Sequence, residues 1–172
     1  MHKIVVMGVA GCGKSTLGAR IASALACPLI EGDDYHLQAS QEKMRDGIPL
    51  DDSDRFPWLD RLGQMLAWRA GDAVLTCSAL KREYRDRLRA AVPGLRFVYV
   101  EIDVVTAVQR VGARSGHLFP TSLVTSQFAT LELPIGEAGV VPVAAELPAS
   151  AQLDAVLEWL AATPAVPNRS FA

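Results

Sequence analysis

Cysteine is scarce in this chain, with 3 residues in 172. Cys12, Cys27 and Cys77 have no metal-ligand spacing, and an odd count does not build a disulfide framework. A reducing, cytoplasmic setting is expected from that usage. Long apolar runs are missing as well, since none approaches the ~18–20 residues of a membrane-spanning helix. A strand pattern begins at Lys3, which leaves no room for a secretory leader. Charge of one sign is also lacking: 17 basic and 19 acidic residues give a net −2. Neither nucleic acid nor an anionic membrane is an expected partner at that balance. Repeats and low-complexity tracts are absent. What remains is a chain with 50% hydrophobic and 21% charged residues, a globular composition long enough for one domain with its own core.

The strongest positive signal is Gly8-Val9-Ala10-Gly11-Cys12-Gly13-Lys14-Ser15, which matches G-x-x-x-x-G-K-[ST]. Its surroundings match too. Lys3 to Met7 is an apolar run suited to a buried parallel strand, and Leu17, Ile21, Ala22 and Leu25 recur at helical spacing after it. The glycines let backbone N–H groups turn inward around a phosphate, and the helix presents its positive end to the same anion. Lys14 then reaches the β/γ oxygens, and the Ser15 hydroxyl is placed for Mg²⁺. Cys12 inside this loop is a candidate oxidation-sensitive thiol; the alternative is a small residue tolerated at a variable position.

Strands and helices alternate along the chain, the pattern of a mainly parallel sheet with helices on both faces. Strands are expected at Lys3–Met7, Pro28–Glu31, Ala73–Cys77, Leu95–Ile102 and Gly139–Val143. A short helix is expected around Ser40–Arg45. A longer one should run from an Asp54 N-cap, with Pro57 in its first turn, to about Ala70, where Gly71 closes it. Further helices are expected at Arg82–Ala91, Val104–Arg114, Thr121–Leu131 and Ala151–Ala161, with a loose tail from Thr163. Ligands of such sheets gather at the carboxyl ends of the strands.

The second strand runs into Glu31-Gly32-Asp33-Asp34-Tyr35-His36. Two tasks there need a carboxylate: holding a Mg²⁺-bound water, and aligning an acceptor hydroxyl. Asp33 is the first candidate, with Glu31 and Asp34 behind it. His36 either caps a helix or touches substrate. Arg55, at a helix entrance, suits bidentate capture of a carboxylate or phosphate. The end of the third strand offers Thr76, Cys77 and Ser78 where a Walker B carboxylate is expected, so metal binding must rest on Ser15, waters and the Glu31/Asp33 group. Lys81 and Arg82 just beyond are candidate anion contacts, whereas Arg85 to Arg89 read as a solvated, salt-bridged helix face. Arg110 and Arg114 share a helix face ahead of the Ser115-Gly116 break. That suits a lid over about residues 114–121, with Arg110 stacking on adenine and Arg114 reaching the transferred phosphate.

Taken together, the chain resembles the thermoresistant gluconokinase family of P-loop small-molecule kinases. The resemblance is carried by Met7 to Ser15, Glu31 to His36, Lys43-Met44 with Gly47 to Leu50, Asp54-Arg55 with Pro57 to Leu59, and Cys77 to Lys81. Gly116-His117, Ser126 to Phe128 and Thr130 to Pro134 continue it in one register from residue 3 to about 160. Cys12 departs from the small hydroxyl residue expected in the loop, and Leu118 from an aromatic after Gly-His. The resemblance implies a nucleoside-monophosphate-kinase-like fold, α/β, with a five-stranded parallel sheet and a lid. It implies transfer from ATP, with Mg²⁺, to the C6 hydroxyl of D-gluconate in carbohydrate-acid catabolism. It assigns Gly8, Gly11, Cys12, Gly13, Lys14, Ser15, Thr16 and Arg110 to nucleotide, and Lys14, Asp33 and Arg114 to catalysis. It assigns Asp33, His36, Arg55, Lys81, Arg82 and His117 to substrate within or beyond a helical segment over about 35–70, and Ser15 and Glu31 (through water) to Mg²⁺. Which cation meets the gluconate carboxylate stays open among Arg55, Lys81 and Arg82. A homodimer is compatible with the fold. Competing readings are a kinase for another polyol acid such as shikimate, a GTP-binding switch and an idle nucleotide sensor. The switch reading lacks a guanine-reading Asn/Thr-Lys-x-Asp motif, and the sensor would not need an intact Asp33, Lys14 and Arg114 set.

Overall fold

The computed structural model describes residues 1–113 and 120–163. The expected lid, apart from Pro120 and Thr121, and the tail beyond Thr163 lie outside the described residues, as do Arg114 and His117. Five strands form one sheet: β1 (Lys3–Met7), β2 (Leu29–Glu31), β3 (Ala73–Thr76), β4 (Arg96–Glu101) and β5 (Val140–Ala144). All pairings are parallel, in the spatial order β2-β3-β1-β4-β5. Among the described residues seven α-helices connect and cover them: α1 (Lys14–Ala24), α2 (Gln38–Arg45), α3 (Asp52–Trp68), α4 (Arg82–Ala91), α5 (Val104–Gly112), α6 (Thr121–Thr130) and α7 (Ala149–Ala162).

Parallel strands covered on both faces need apolar side chains in both directions, and β1 shows it residue by residue. Ile4 and Val6 join one core with Leu17 and Ile21 of α1, Val111 of α5, Val124 of α6 and Leu160 of α7. Val5 and Met7 join the other, with Trp58, Leu59 and Leu62 of α3 and Tyr84 and Leu88 of α4. The central position of β1 puts the loop that follows it in the middle of the carboxyl edge, between the ends of β3 and β4.

Several local expectations are corrected. The N-cap of α3 is Asp51: its side chain accepts from Asp54 N–H while the Asp54 carboxylate accepts from Asp51 N–H, a reciprocal capping box. Pro57 therefore stands in the second turn, and the helix ends at Trp68 with Arg69 as its cap, short of Gly71. A 3₁₀ turn over Gly32–Tyr35, not foreseen, carries the carboxylates after β2. Arg85 is not on a solvated face. It is fully buried, donates to the Ala79 and Leu80 carbonyls at 3.0 and 2.9 Å, and pairs with Glu137 at 2.5 Å. Arg85, aided by Arg89, holds the Glu137 carboxyl down to about 2. Cys12 is 2% exposed and packs into the core under the loop, so its thiol is not presented to solvent.

Candidate active site

The loop from Gly8 to Gly13 turns on backbone angles that suit glycine. Gly13 caps α1 at φ 101°, and a Cβ on Gly8 (φ 143°) would lie 2.8 Å from the Val100 carbonyl oxygen. The loop thus opens the first turn of α1 toward a cavity of about 530 Å³ at the carboxyl edge of the sheet. Ala10, Gly11, Gly13, Lys14, Ser15 and Thr16 line it on the loop side, and Asp33, His36, Gln41, Met44, Arg45 and Arg55 on the other. Ser78, Val111 and Gln127 complete the wall.

At the floor, the Ser15 hydroxyl donates to Glu31 Oε2 at 3.0 Å, and Thr76 Oγ1 donates to the same oxygen at 2.5 Å. Glu31 and Thr76 are register partners at the ends of β2 and β3. A carboxylate of the neighbouring strand thus stands beside the end of β3, where the chain itself has Thr76. Among the described residues no group of three or more His, Cys, Asp or Glu forms an all-protein cage. A hydroxyl beside one carboxylate nevertheless fits Mg²⁺, which takes hard oxygen donors, keeps several waters and shares its shell with phosphates.

On the facing wall, Asp33 projects from the 3₁₀ turn with its side chain 79% exposed, whereas Asp34 does not line the cavity. His36 behind it is 7% exposed and lies flat on Trp58, with ring centroids 4.1 Å apart at 17°. Trp58 in turn donates to the Gly32 carbonyl at 2.8 Å, so α3 anchors the turn that carries Asp33. His36 Nε2 is 4.0 Å from Asp33 Oδ1, and Nδ1 is buried with no hydrogen-bond partner among the described residues. Burial lowers His36 to about 4, Asp33 working against that and Arg55 with it, which keeps the ring neutral at physiological pH.

The three candidate cations fare differently. Arg55 is 8% exposed, lines the cavity, donates from Nε to the Leu50 carbonyl at 3.3 Å and has no carboxylate partner among the described residues. Lys81 is taken up by Asp52, at 2.7 and 2.9 Å, and does not line the cavity. Arg82 is exposed, 3.7 Å from Asp86, and borders a separate groove at the amino ends of β4 and β5. The structure thus brings together Lys14, Ser15, Glu31, Asp33, His36 and Arg55 and leaves Lys81 and Arg82 apart. Arg110 also stands outside the lining and donates to the Ala145 carbonyl at 3.2 Å. Sequence reasoning gave no role to Gln41, Arg45, Ser78 or Gln127. Of these Ser78 and Gln127 carried a signal, as parts of runs shared with the resembling family.

A family profile described as an AAA domain matches residues 4–134. The chain is 44% identical over 147 residues to a gluconokinase of Gluconobacter oxydans (strain 621H), covering 83% of this chain and 82% of that one. It is 41% identical over 136 residues to the thermosensitive gluconokinase of Escherichia coli (strain K12), covering 77% and 73%. The chain belongs to the gluconokinase family. The crystal structure of a gluconokinase from Sinorhizobium meliloti 1021 superposes with a TM-score of 0.86 at 45% identity, over 94% of this chain and 92% of that one. Gluconokinase-family membership makes the chain a P-loop kinase, and the sheet order and phosphate loop described above are those of such an enzyme. No helix among the described residues is long and apolar enough to cross a membrane.

Proposed function

We infer that this chain is a gluconokinase that moves the γ-phosphoryl group of ATP to the C6 hydroxyl of D-gluconate, releasing ADP and 6-phospho-D-gluconate. The observation that carries the reading is Arg55: a buried guanidinium with no carboxylate partner among the described residues, in the wall of the cavity that also holds Lys14 and Asp33. Burying an unpaired charge is costly, and an anionic substrate relieves that cost. A sugar acid supplies a carboxylate at one end and a primary hydroxyl at the other, so one molecule spans Arg55 and the phosphate loop.

In the transfer, the C6 oxygen forms the new bond to phosphorus as the bond from phosphorus to the bridging β–γ oxygen breaks. Asp33 accepts the hydroxyl proton and aligns its oxygen for in-line attack. Lys14 keeps one N–H on the Val9 carbonyl, 3.0 Å away, and directs the others to the β and γ oxygens. The N–H groups at the start of α1 hold the β-phosphate. Ser15, with Glu31 behind it, would hold Mg²⁺, which when bound neutralises charge on the β and γ oxygens. Arg110 and Arg114 complete the set on the strength of their spacing ahead of Ser115-Gly116, and His117 on that of the family motif.

The test is ADP release across acceptors. Gluconate should give rapid turnover with ATP, whereas shikimate, glucose (which lacks the carboxylate) and GTP as donor should be poor. Equal turnover of glucose and gluconate would overturn carboxylate recognition, and preference for shikimate would overturn the acceptor.

A further inference from the structure

One peptide unit of the phosphate loop, the one joining Val9 to Ala10, is held from both ends. Its carbonyl oxygen accepts from Lys14 Nζ at 3.0 Å, and its N–H donates to Gln127 Oε1 at 2.6 Å. Gln127 comes from α6, 117 residues away in sequence, so this contact is no product of the loop's own turn. The same side chain lines the cavity that holds Lys14 and Asp33.

A peptide group is a rigid plane, so fixing its N–H also fixes the direction of its carbonyl. The loop's own hold on that carbonyl is one long bond from the Cys12 N–H, 3.4 Å, and Gly8, Gly11 and Gly13 (φ 143°, 84° and 101°) surround the unit with residues of wide conformational freedom. Donation from the N–H also polarises the carbonyl and strengthens its grip on the ammonium. The chain of contacts runs from Gln127 through one peptide to the nitrogen whose position matters for transfer.

We propose that Gln127 is a positioning residue for phosphoryl transfer, setting where the Lys14 ammonium stands by orienting the Val9–Ala10 peptide. The inference rests on the kinase reading above and adds a residue to it. Gln127 acts through Lys14, and that gives the test its form. Gln127→Met removes the acceptor with little change of shape, and Gln127→Leu serves if that variant does not fold. Loss of one such hydrogen bond should lower kcat roughly tenfold, with the KM for gluconate within about twofold. Gln127→Glu keeps an acceptor oxygen and should recover most of kcat. On a Lys14→Ala background, Gln127→Met should change the residual rate by less than about twofold, because nothing is left to position. Equal fold-losses in both backgrounds would overturn the proposal, and so would a change confined to the gluconate KM. A wild-type protein that does not phosphorylate gluconate would instead sink the kinase reading itself.

Discussion

Arg55 and Lys81 carry the same charge and both flank the substrate side, yet their neighbours separate them. Asp52 takes up Lys81, whereas among the described residues Arg55 donates to a backbone carbonyl and stands over the face of Tyr84, 5.8 Å away. Sequence alone left the two equivalent because ion pairing depends on which turn of α3 faces α4, a tertiary fact. Arg55→Ala should therefore raise the gluconate KM by about 10- to 100-fold, the worth of charge-assisted hydrogen bonds, while the ATP KM moves little. Steady-state kinetics decide it, and a change confined to ATP would place Arg55 on the nucleotide side. Asp33→Asn keeps shape but cannot take the hydroxyl proton, so kcat should fall by about 10²–10⁴-fold with nucleotide binding retained. If kcat survived and only the nucleotide KM rose, Asp33 would serve the metal side. The phosphate loop was legible to the residue because its chemistry is local: glycines, Lys14 and Ser15 must be adjacent to work. The deficit at Thr76 and the candidacy of Glu31 could both be read from the chain, but the contacts of Glu31 with Ser15 and Thr76 needed the β2–β3 register.

Among the elements, strands and most helices followed from periodicity, and α4 matched to the residue because an N-terminal strand end and Pro93-Gly94 bound it on both sides. The start of α3 did not. Asp51, Asp52, Ser53 and Asp54 are all competent N-caps, and the choice of Asp51 is made by its reciprocal bond with Asp54. Arg85 was misread because arginines at helical spacing usually face water, whereas here the loop carbonyls of Ala79 and Leu80 and the Glu137 carboxylate draw one of them inside. The 3₁₀ turn after β2 has its own constraint. A Cβ on Gly32 would overlap the Thr76 carbonyl oxygen and lie 3.2 Å from Leu62 Cδ1. Gly32→Ala should force β2 away from β3, destabilising the fold by roughly 1–3 kcal/mol as overpacking does. It should also lower turnover by displacing Glu31 and Asp33 together. Denaturant midpoints and kcat on one preparation check this, and an unchanged midpoint would mean the strand ends yield freely.

At the scale of the whole molecule, the order β2-β3-β1-β4-β5 places the phosphate loop centrally and brings the acceptor-side turn after β2 round to face it. Two groups, buried His36 and partly buried Glu137, make the folded molecule sensitive to acid. His36 is lowered from 6.5 to about 4, so an unfolded chain takes up a proton that the fold refuses in that window. Asp33 and Asp54 oppose that shift and Arg55 supports it. Glu137 is lowered from 4.5 to about 2, so its contribution is present above 4.5 and is lost as pH falls toward 2. Both act in one direction: stability rises with pH wherever the unfolded chain binds more protons. The thermal midpoint should therefore fall on acidification below about pH 6.5 and continue falling below the ordinary carboxylate range. Glu137→Gln should flatten the lower limb and His36→Phe the upper. A wild-type midpoint constant over that range would contradict both assignments. The central claim, transfer of the γ-phosphoryl group to the primary hydroxyl of gluconate, is tested most directly by phosphorus NMR of the protein with ATP, Mg²⁺ and gluconate. The expected result is a new phosphomonoester signal, split by the two protons on C6 and growing in step with ADP. Inorganic phosphate as the only product, or a monoester on a secondary hydroxyl, would contradict it.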